Sequence, residues 1–179
     1  MSKNKDGSLK PGSTLGAYEI IRLIGKGGMG EVYEAYEPSL NRRVALKIIP
    51  RVLAEKDPEL VRRFDSEGKV LAQLNHPNVV TVHSLGLAES IHYLTMEYVD
   101  GVSLKEFIAE SSFSLDKAIP IDQQIVAGVE ALHSSGIIHR DMKPANVIYR
   151  KDGSIKIVDL GIAKVTENTN FELTKAGEV

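Results

Sequence analysis

The chain has 179 residues, room for one domain or two small lobes, and 42% hydrophobic against 26% charged residues place it among globular rather than disordered or fibrous chains. With 22 Lys and Arg against 24 Asp and Glu the formal net charge is -2, so the molecule as a whole attracts neither nucleic acid nor an anionic membrane. Cysteine is absent, which excludes disulfides and thiolate metal sites, and no apolar run approaches the length of a membrane span.

Residues 1–12 are polar, carry several lysines and lack the apolar core of a secretion signal; they are expected to form a disordered tail. Tyr18-Glu19-Ile20-Ile21-Arg22-Leu23-Ile24 then reads as a strand. It runs into Gly25-Lys26-Gly27-Gly28-Met29-Gly30-Glu31-Val32, with the spacing G-x-G-x-x-G-x-V. Glycines there allow a tight turn and bring backbone N–H groups close to phosphate oxygens. The same spacing marks dinucleotide-binding folds, but in those a helix follows the glycines. Here Val32-Tyr33-Glu34-Ala35-Tyr36-Glu37 is β-branched and aromatic, so it reads as a second strand. A plain glycine-rich turn is the competing reading.

Arg43-Val44-Ala45-Leu46-Lys47-Ile48-Ile49 is a third strand, with Val44, Leu46 and Ile48 on one face and Ala45, Lys47 and Ile49 on the other. A strand lysine is usually solvated. This one sits among small and apolar neighbours, which suits a floor for a planar ligand with one cation reaching a phosphate. Asp57-Pro58 opens a helix, with Asp57 as N-cap and Pro58 at the first helical position. Its apolar stripe is Leu60, Phe64, Leu71 and Leu74, with Glu67 filling the gap. A buried carboxylate demands a cation, and Lys47 is the natural candidate; alternatively Glu67 lies at the stripe edge and reaches water. Gly68 beside it costs the helix about 1 kcal/mol and is expected to loosen it. His76-Pro77-Asn78 ends the helix. Residues 79–82 and 91–99 read as strands four and five, and Asp100-Gly101 is the first lobe boundary. His76, His83 and His92 show no metal-ligand spacing.

Ser103 is a candidate cap for a short helix, and 114–135 carry a long helical pattern with Ile121, Ile125, Val129 and Leu132 on one face. Pro120 should kink it or delay its start, and Gly136 should end it. Next comes His139-Arg140-Asp141-Met142-Lys143-Pro144-Ala145-Asn146, a carboxylate, an ammonium and an amide on one short connection. Val147-Ile148-Tyr149 and Ile155-Lys156-Ile157-Val158, joined through Asp152-Gly153, read as a hairpin that returns Asp159 toward Asp141. Two aspartates and an asparagine converging there offer hard oxygens suited to Mg²⁺ held together with phosphates. Residues 166–179 read as a mobile loop.

Taken together these motifs resemble the eukaryotic-like (Hanks-type) serine/threonine protein kinases of bacteria, from about Leu15 to the end. The resemblance rests on the glycine loop, Val44-Ala45-Leu46-Lys47, Glu67, His76-Pro77-Asn78, Met96-Glu97-Tyr98-Val99, the stretch 139–146 and Asp159-Leu160-Gly161. It implies an α+β, protein-kinase-like two-lobe fold. The small lobe (13–99) would hold a five-stranded antiparallel sheet with one helix; the large lobe (100–179) would be mainly helical, incomplete, and end in the activation segment. It implies transfer of the γ-phosphoryl group of ATP to Ser or Thr of a protein substrate, with Mg²⁺ or, alternatively, Mn²⁺. Asp141 would accept the hydroxyl proton and Lys143 would neutralise the γ-phosphate. Asn146 and Asp159 would hold the metal. Lys47 would hold the α- and β-phosphates and pair with Glu67. Gly25, Gly27, Gly28 and Gly30 would cover the phosphates. Met96 would be the gatekeeper, Glu97 and Val99 would offer backbone groups to adenine, and Ile24, Val32, Ala45 and Ile148 would sandwich the ring. Arg140 would meet a phosphorylated activation loop, with Thr174 as leading phosphosite ahead of Thr166 and Thr169.

Two departures stand out. Leu160 replaces the usual Phe, with little expected effect. The sequence stops at Val179, before the Ala-Pro-Glu motif and the helices that would cover the underside of 114–135. A truncated kinase domain is therefore expected, and a nucleotide-binding or regulatory pseudokinase-like fragment is the alternative. The implied location is the cytoplasm, with room for a membrane anchor in a longer gene product, and dimerisation through the small lobe is a further expectation. Neither nucleic acid nor a membrane segment belongs to this reading.

Overall fold

The computed structural model describes residues 8–27, 30–110 and 114–159. Strands β1 (Thr14–Leu15), β2 (Tyr18–Gly27), β3 (Gly30–Glu37), β4 (Arg42–Ile49), β5 (Val82–Ala88) and β6 (Ile91–Glu97) form one antiparallel sheet. Its strand order is β1-β2-β3-β4-β6-β5. Four of these (β2, β3, β4 and β6) are expected strands; β5 stands in place of the one expected at 79–82, and the two-residue β1 is added.

β4 is buried on both faces, as its alternation required. Val44, Leu46 and Ile48 enter an apolar cluster with Leu15, Tyr18, Ile20 and Tyr33. Ala45 and Ile49 enter a second cluster with Phe64, Leu71, Leu94 and Met96. Each aliphatic side chain buried this way contributes about 1.5–3 kcal/mol relative to exposure. Lys47 lies on the second face and is only 6% exposed.

Two helices follow rather than one, α1 (Arg51–Lys56) and α2 (Pro58–Leu71). Asp57 caps α2 by accepting a hydrogen bond from Leu60 N at 3.0 Å, and Pro58 supplies the first helical residue. The helix buries Leu60, Phe64, Gly68 and Leu71. Leu74 lies beyond its end, half-buried against the same cluster. The expected loosening at Gly68 is replaced by close packing. A Cβ there would stand 3.0 Å from Leu94 Cδ1 and 3.1 Å from Leu85 Cδ1, so the missing side chain lets the helix settle on β5 and β6.

Residues 79–82 are not the strand their composition suggested, since β5 begins only at Val82. Instead Val79 bridges Ile157 in parallel, Val80 N donates to Ile157 O at 3.0 Å, and Ile157 N donates to Asn78 O at 2.8 Å. Residues 8–12, part of the tail expected over 1–12, are instead tied into the fold. Leu9 is buried in the first cluster, Ser8 Oγ donates to Glu31 Oε1 at 2.9 Å, and Leu9 N donates to Tyr33 Oη at 3.0 Å.

The second half comprises β7 (Val102–Ser103), α3 (Leu104–Glu110), α4 (Leu115–Ser134), β8 (Val147–Tyr149) and β9 (Ile155–Ile157), with the strands in the order β7-β8-β9. Ser103 and Glu106 form a capping box: Ser103 N donates to Glu106 Oε2 at 2.9 Å and Glu106 N to Ser103 Oγ at 3.2 Å. Phe107 stacks on Tyr149 at 4.2 Å between ring centroids, seating α3 on β8. α4 starts before Pro120 and runs on through it. It ends in a Schellman motif, with Ile137 N donating to Leu132 O and Gly136 N to His133 O, both at 2.9 Å. Ile121, Gly128 and Leu132 are buried, with Ile125 and Val129 half-buried beside them. On the other side of α4, Leu115, Ile119 and Val126 are exposed. No helix among the described residues is long and apolar enough to cross a membrane.

Candidate active site

The glycine hairpin is built by β2 and β3, with Gly25 opposite Val32, Lys26 opposite Glu31 and Gly27 opposite Gly30. Gly28 lies outside the described residues. Gly30 has φ 151°, and a Cβ on it would fall 2.1 Å from Ile48 O. Strand packing alone therefore requires glycine there. Glu31 anchors the hairpin's base: it accepts from Ser8 and Tyr33 and pairs with Lys26 Nζ at 2.9 Å. Burial opposes its ionisation, but these partners outweigh that and hold its carboxyl below the ordinary range. Burial and the Glu31 carboxylate push the Tyr33 phenol well above its ordinary value.

Beneath the hairpin, Val32 faces Lys47 across β3 and β4, and Ala45 faces Met96 across β4 and β6. Ala45 and Met96 are buried, Val32, Val99 and Ile148 are half-buried, and Ile24 alone of these apolar candidates is exposed. β6 leads through Glu97, Tyr98 and Val99 to the second sheet.

The expected Lys47–Glu67 pair is not formed. Lys47 Nζ instead meets Asp159 Oδ1 at 2.6 Å. The reason lies in α2. Gly68 takes the buried position, and Glu67 one residue earlier is turned to the half-buried flank. Burial raises the Glu67 carboxyl above its ordinary value, opposed by the charges of Arg140 and Arg63 ahead of that of Lys47. Arg140 has φ 59°, and its charge reaches Glu67; the phosphorylated loop that the resemblance assigned to it lies outside the described residues.

The stretch 139–146 is held from below. His139 is 2% exposed, its Nε2 lies 3.2 Å from Val158 O, and its Nδ1 accepts from Asp141 N at 3.3 Å. Those two contacts require a neutral ring protonated on Nε2, and burial pushes its pKa down accordingly. Nothing in the sequence pattern had given His139 this positioning role. Lys143 Nζ pairs with Asp141 Oδ2 at 2.8 Å, which raises the lysine pKa. Asn146 is buried and donates through Nδ2 to Asp141 O at 2.8 Å and Asp141 Oδ2 at 3.2 Å. Val158 N donates to Asn146 O at 2.9 Å, which ties the start of β8 to the residue before Asp159.

These residues fit a hard divalent cation. Asn146 commits its amide nitrogen to Asp141, and its amide oxygen accepts no hydrogen bond among the described residues. The Asp159 side chain is 48% exposed and has one oxygen beyond the Lys47 contact. Within the described residues no cluster of three His, Cys, Asp or Glu forms a metal cage of its own. A cation here would draw further oxygens from a bound phosphate or water. Leu160, Gly161, Thr166, Thr169 and Thr174 lie outside the described residues.

Residues 18–177 match the family model for the protein kinase domain. The chain is 41% identical over 162 residues to the serine/threonine-protein kinase PrkC of Bacillus subtilis, covering 90% of this chain and 25% of that protein. It is 38% identical over 167 residues to the serine/threonine-protein kinase PknA of Mycobacterium tuberculosis, covering 89% of this chain and 38% of that one. It spans about a quarter to two-fifths of the length of such relatives. The crystal structure of a cysteine-to-alanine mutant of the Mycobacterium tuberculosis PknI kinase domain superposes with a TM-score of 0.75 at 32% identity, over 88% of this chain and 64% of that one.

Proposed function

The chain belongs to the protein kinase domain family, and from that premise we propose that it binds ATP with Mg²⁺ and passes the γ-phosphoryl group to a serine or threonine hydroxyl of a protein. The observation that carries this reading is the convergence of the two sheets on one spot. Lys47 from the centre of the first sheet reaches Asp159 beyond the end of the second, beside the bonded trio Asp141, Lys143 and Asn146.

Each side chain then has a task its surroundings suit. Asp141 is aimed by Asn146 and partnered by Lys143, so its carboxylate can accept the proton of an incoming hydroxyl and orient it. Lys143 is kept charged by Asp141 and can turn to phosphate oxygens as negative charge builds there. Asp159 and Asn146 supply the cation's protein oxygens; the bound cation would neutralise phosphate charge. Lys47 holds Asp159 with one of its three N–H donors, which leaves others to turn toward the α- and β-phosphates of an entering nucleotide. The hairpin glycines, Val32, Ala45, Met96, Val99 and Ile148 form the adenine and phosphate cover; Glu97 and Val99 offer main-chain groups to the ring. ATP as donor puts the chain in the cytoplasm.

Purified chain supplied with Mg-ATP and a Ser/Thr-rich protein tests this reading: transfer of labelled phosphate that Asp141→Asn lowers by about 10²–10⁴-fold supports it. Nucleotide binding that survives in both chains, with no transfer in either, would instead favour a nucleotide-binding module.

A further inference from the structure

Lys156 is a lysine that none of the kinase motifs uses, and it is one of the most enclosed cations among the described residues. It sits in the middle of β9, three residues before Asp159, and is 9% exposed. Its ammonium donates to Val79 O at 3.1 Å and pairs with Glu97 Oε2 at 2.8 Å. A lysine on a three-residue strand would ordinarily extend to water. Here it reaches across the connection from α2 and ends on the last residue of β6.

Its two partners belong to one braid. Residues 78–80 are bonded to Ile157 on one side. On the other side Thr81 O accepts from Glu97 N at 2.8 Å. Asn78 Nδ2 also donates to Ile155 O at 3.2 Å and to Gln124 Oε1 at 3.0 Å, fixing the same connection to α4. The main chain at Glu97 is therefore held by its own N–H and by its side chain, and both holds lead to β9. The neighbouring residue is gripped separately: Arg43 lies 4.5 Å over the Tyr98 ring, and Arg22 donates to the Tyr98 hydroxyl at 3.2 Å.

We propose that Lys156 is a positioning residue for adenine: by holding the Glu97 carboxylate and Val79 O together, it fixes the main chain that reads the base, and so sets the preference for ATP over other nucleoside triphosphates. This rests on the reading of Glu97 and Val99 as the base-facing backbone. Lys156 itself touches neither nucleotide nor metal in this account. Its effect passes through Glu97. Without the ammonium, a carboxylate and a carbonyl that are both largely enclosed lose their shared donor, and the strand end relaxes. The proposed phosphate end of the site is held by a different ion pair, Lys47 with Asp159.

The test compares the full chain with Lys156→Met and Lys156→Arg, using Mg-ATP and Mg-GTP in competition against a fluorescent ATP analogue. Hydrogen exchange at Glu97 and Tyr98 is read on the same samples. Lys156→Met is expected to weaken ATP about tenfold and GTP about twofold or less, and to speed exchange at the Glu97 amide. Lys156→Arg keeps the cation and is expected to hold the ATP-to-GTP ratio near that of the parent. An unchanged ratio together with unchanged exchange in Lys156→Met overturns the proposal. If the parent chain binds neither nucleotide, it is the kinase reading that falls, and unchanged exchange at Glu97 still overturns the Lys156 assignment. Should Lys156→Met fail to fold, Glu97→Gln reads the same pair from its other end, with the same expected loss of ATP preference.

Discussion

At the scale of single residues, the chemistry depends on side chains whose partners differ in sequence distance. Asp141, Lys143 and Asn146 are within five residues of one another, and their mutual bonds are local. His139 beneath them is held neutral by burial, and that has a pH signature. Its folded pKa lies below the ordinary 6.5, so the unfolded chain takes up the proton first as pH falls. The stability tied to neutral His139 is complete above about pH 6.5 and is lost as pH drops toward the depressed folded value. A thermal-melt series from pH 7.5 to 5 should show this acid slope, and His139→Gln should flatten it by about 2–4 °C. His83 shifts in the same direction through burial, so part of the slope should survive the substitution. Equal slopes in parent and variant would rule His139 out as its source. That Asp141, Lys143, Asn146, Lys47 and Asp159 would come together was legible from motif spacing. The partner of Lys47 was not. A hydrophobic pattern gives no weight to a glycine, and so the α2 face read as Leu60, Phe64, Glu67, Leu71 when the buried set is Leu60, Phe64, Gly68, Leu71.

Among the elements, legibility followed how local the determining physics is. The split of β4 into two faces, the Asp57 and Ser103 caps and the Asp152-Gly153 turn each depend on residues within a few positions, and each is found. Residues 79–82 read as a strand because valines favour one; Val79 and Val80 instead bond to Ile157, almost 80 positions away, and β5 starts only at Val82. The segment before β1 is the other case. Its polar composition signals disorder, and only the fold reveals that Glu31 and Tyr33 stand ready to receive Ser8 and Leu9. Because Leu9 is buried beside Tyr33 and Tyr18, Leu9→Ala should cost about 2–4 kcal/mol in urea unfolding. It should also loosen the hairpin base, seen as faster hydrogen exchange at Glu31. Exchange there that matches the parent would mean the segment does not brace the hairpin.

Across the whole molecule, one apolar cluster runs continuously from the first sheet to the second, through Ala45, Leu94 and Met96 to Leu104, Val147 and Ile157. That continuity makes the two sheets one body around the site. The far side of α4 has no such cover among the described residues. Ile119 and Val126 line an open groove of about 450 Å³, rimmed by Asp122, Gln123 and Glu130. Apolar surface of that kind drives association. Ile119→Lys with Val126→Glu should reduce both dye binding and self-association in sedimentation, while leaving the melting temperature within about 2 °C. A large loss of melting temperature would mean the face is packed in solution.

The braid at residues 78–80 also sets an order in time. A ribosome delivers this connection long before the strand it bonds to: Val79 and Lys156 are 77 positions apart. Until Ile157 has left the exit tunnel, the connection has neither its main-chain partners nor the ammonium that holds Glu97. The first sheet can pair from β1 to β6 as it emerges, because each of its strands meets a neighbour already made or next in line. Its junction with the second sheet must wait for the last strand. Synthesis thus brings the Glu97 end of β6 to its final shape only when the Asp159 end of β9 arrives, and the two halves of the candidate site mature together.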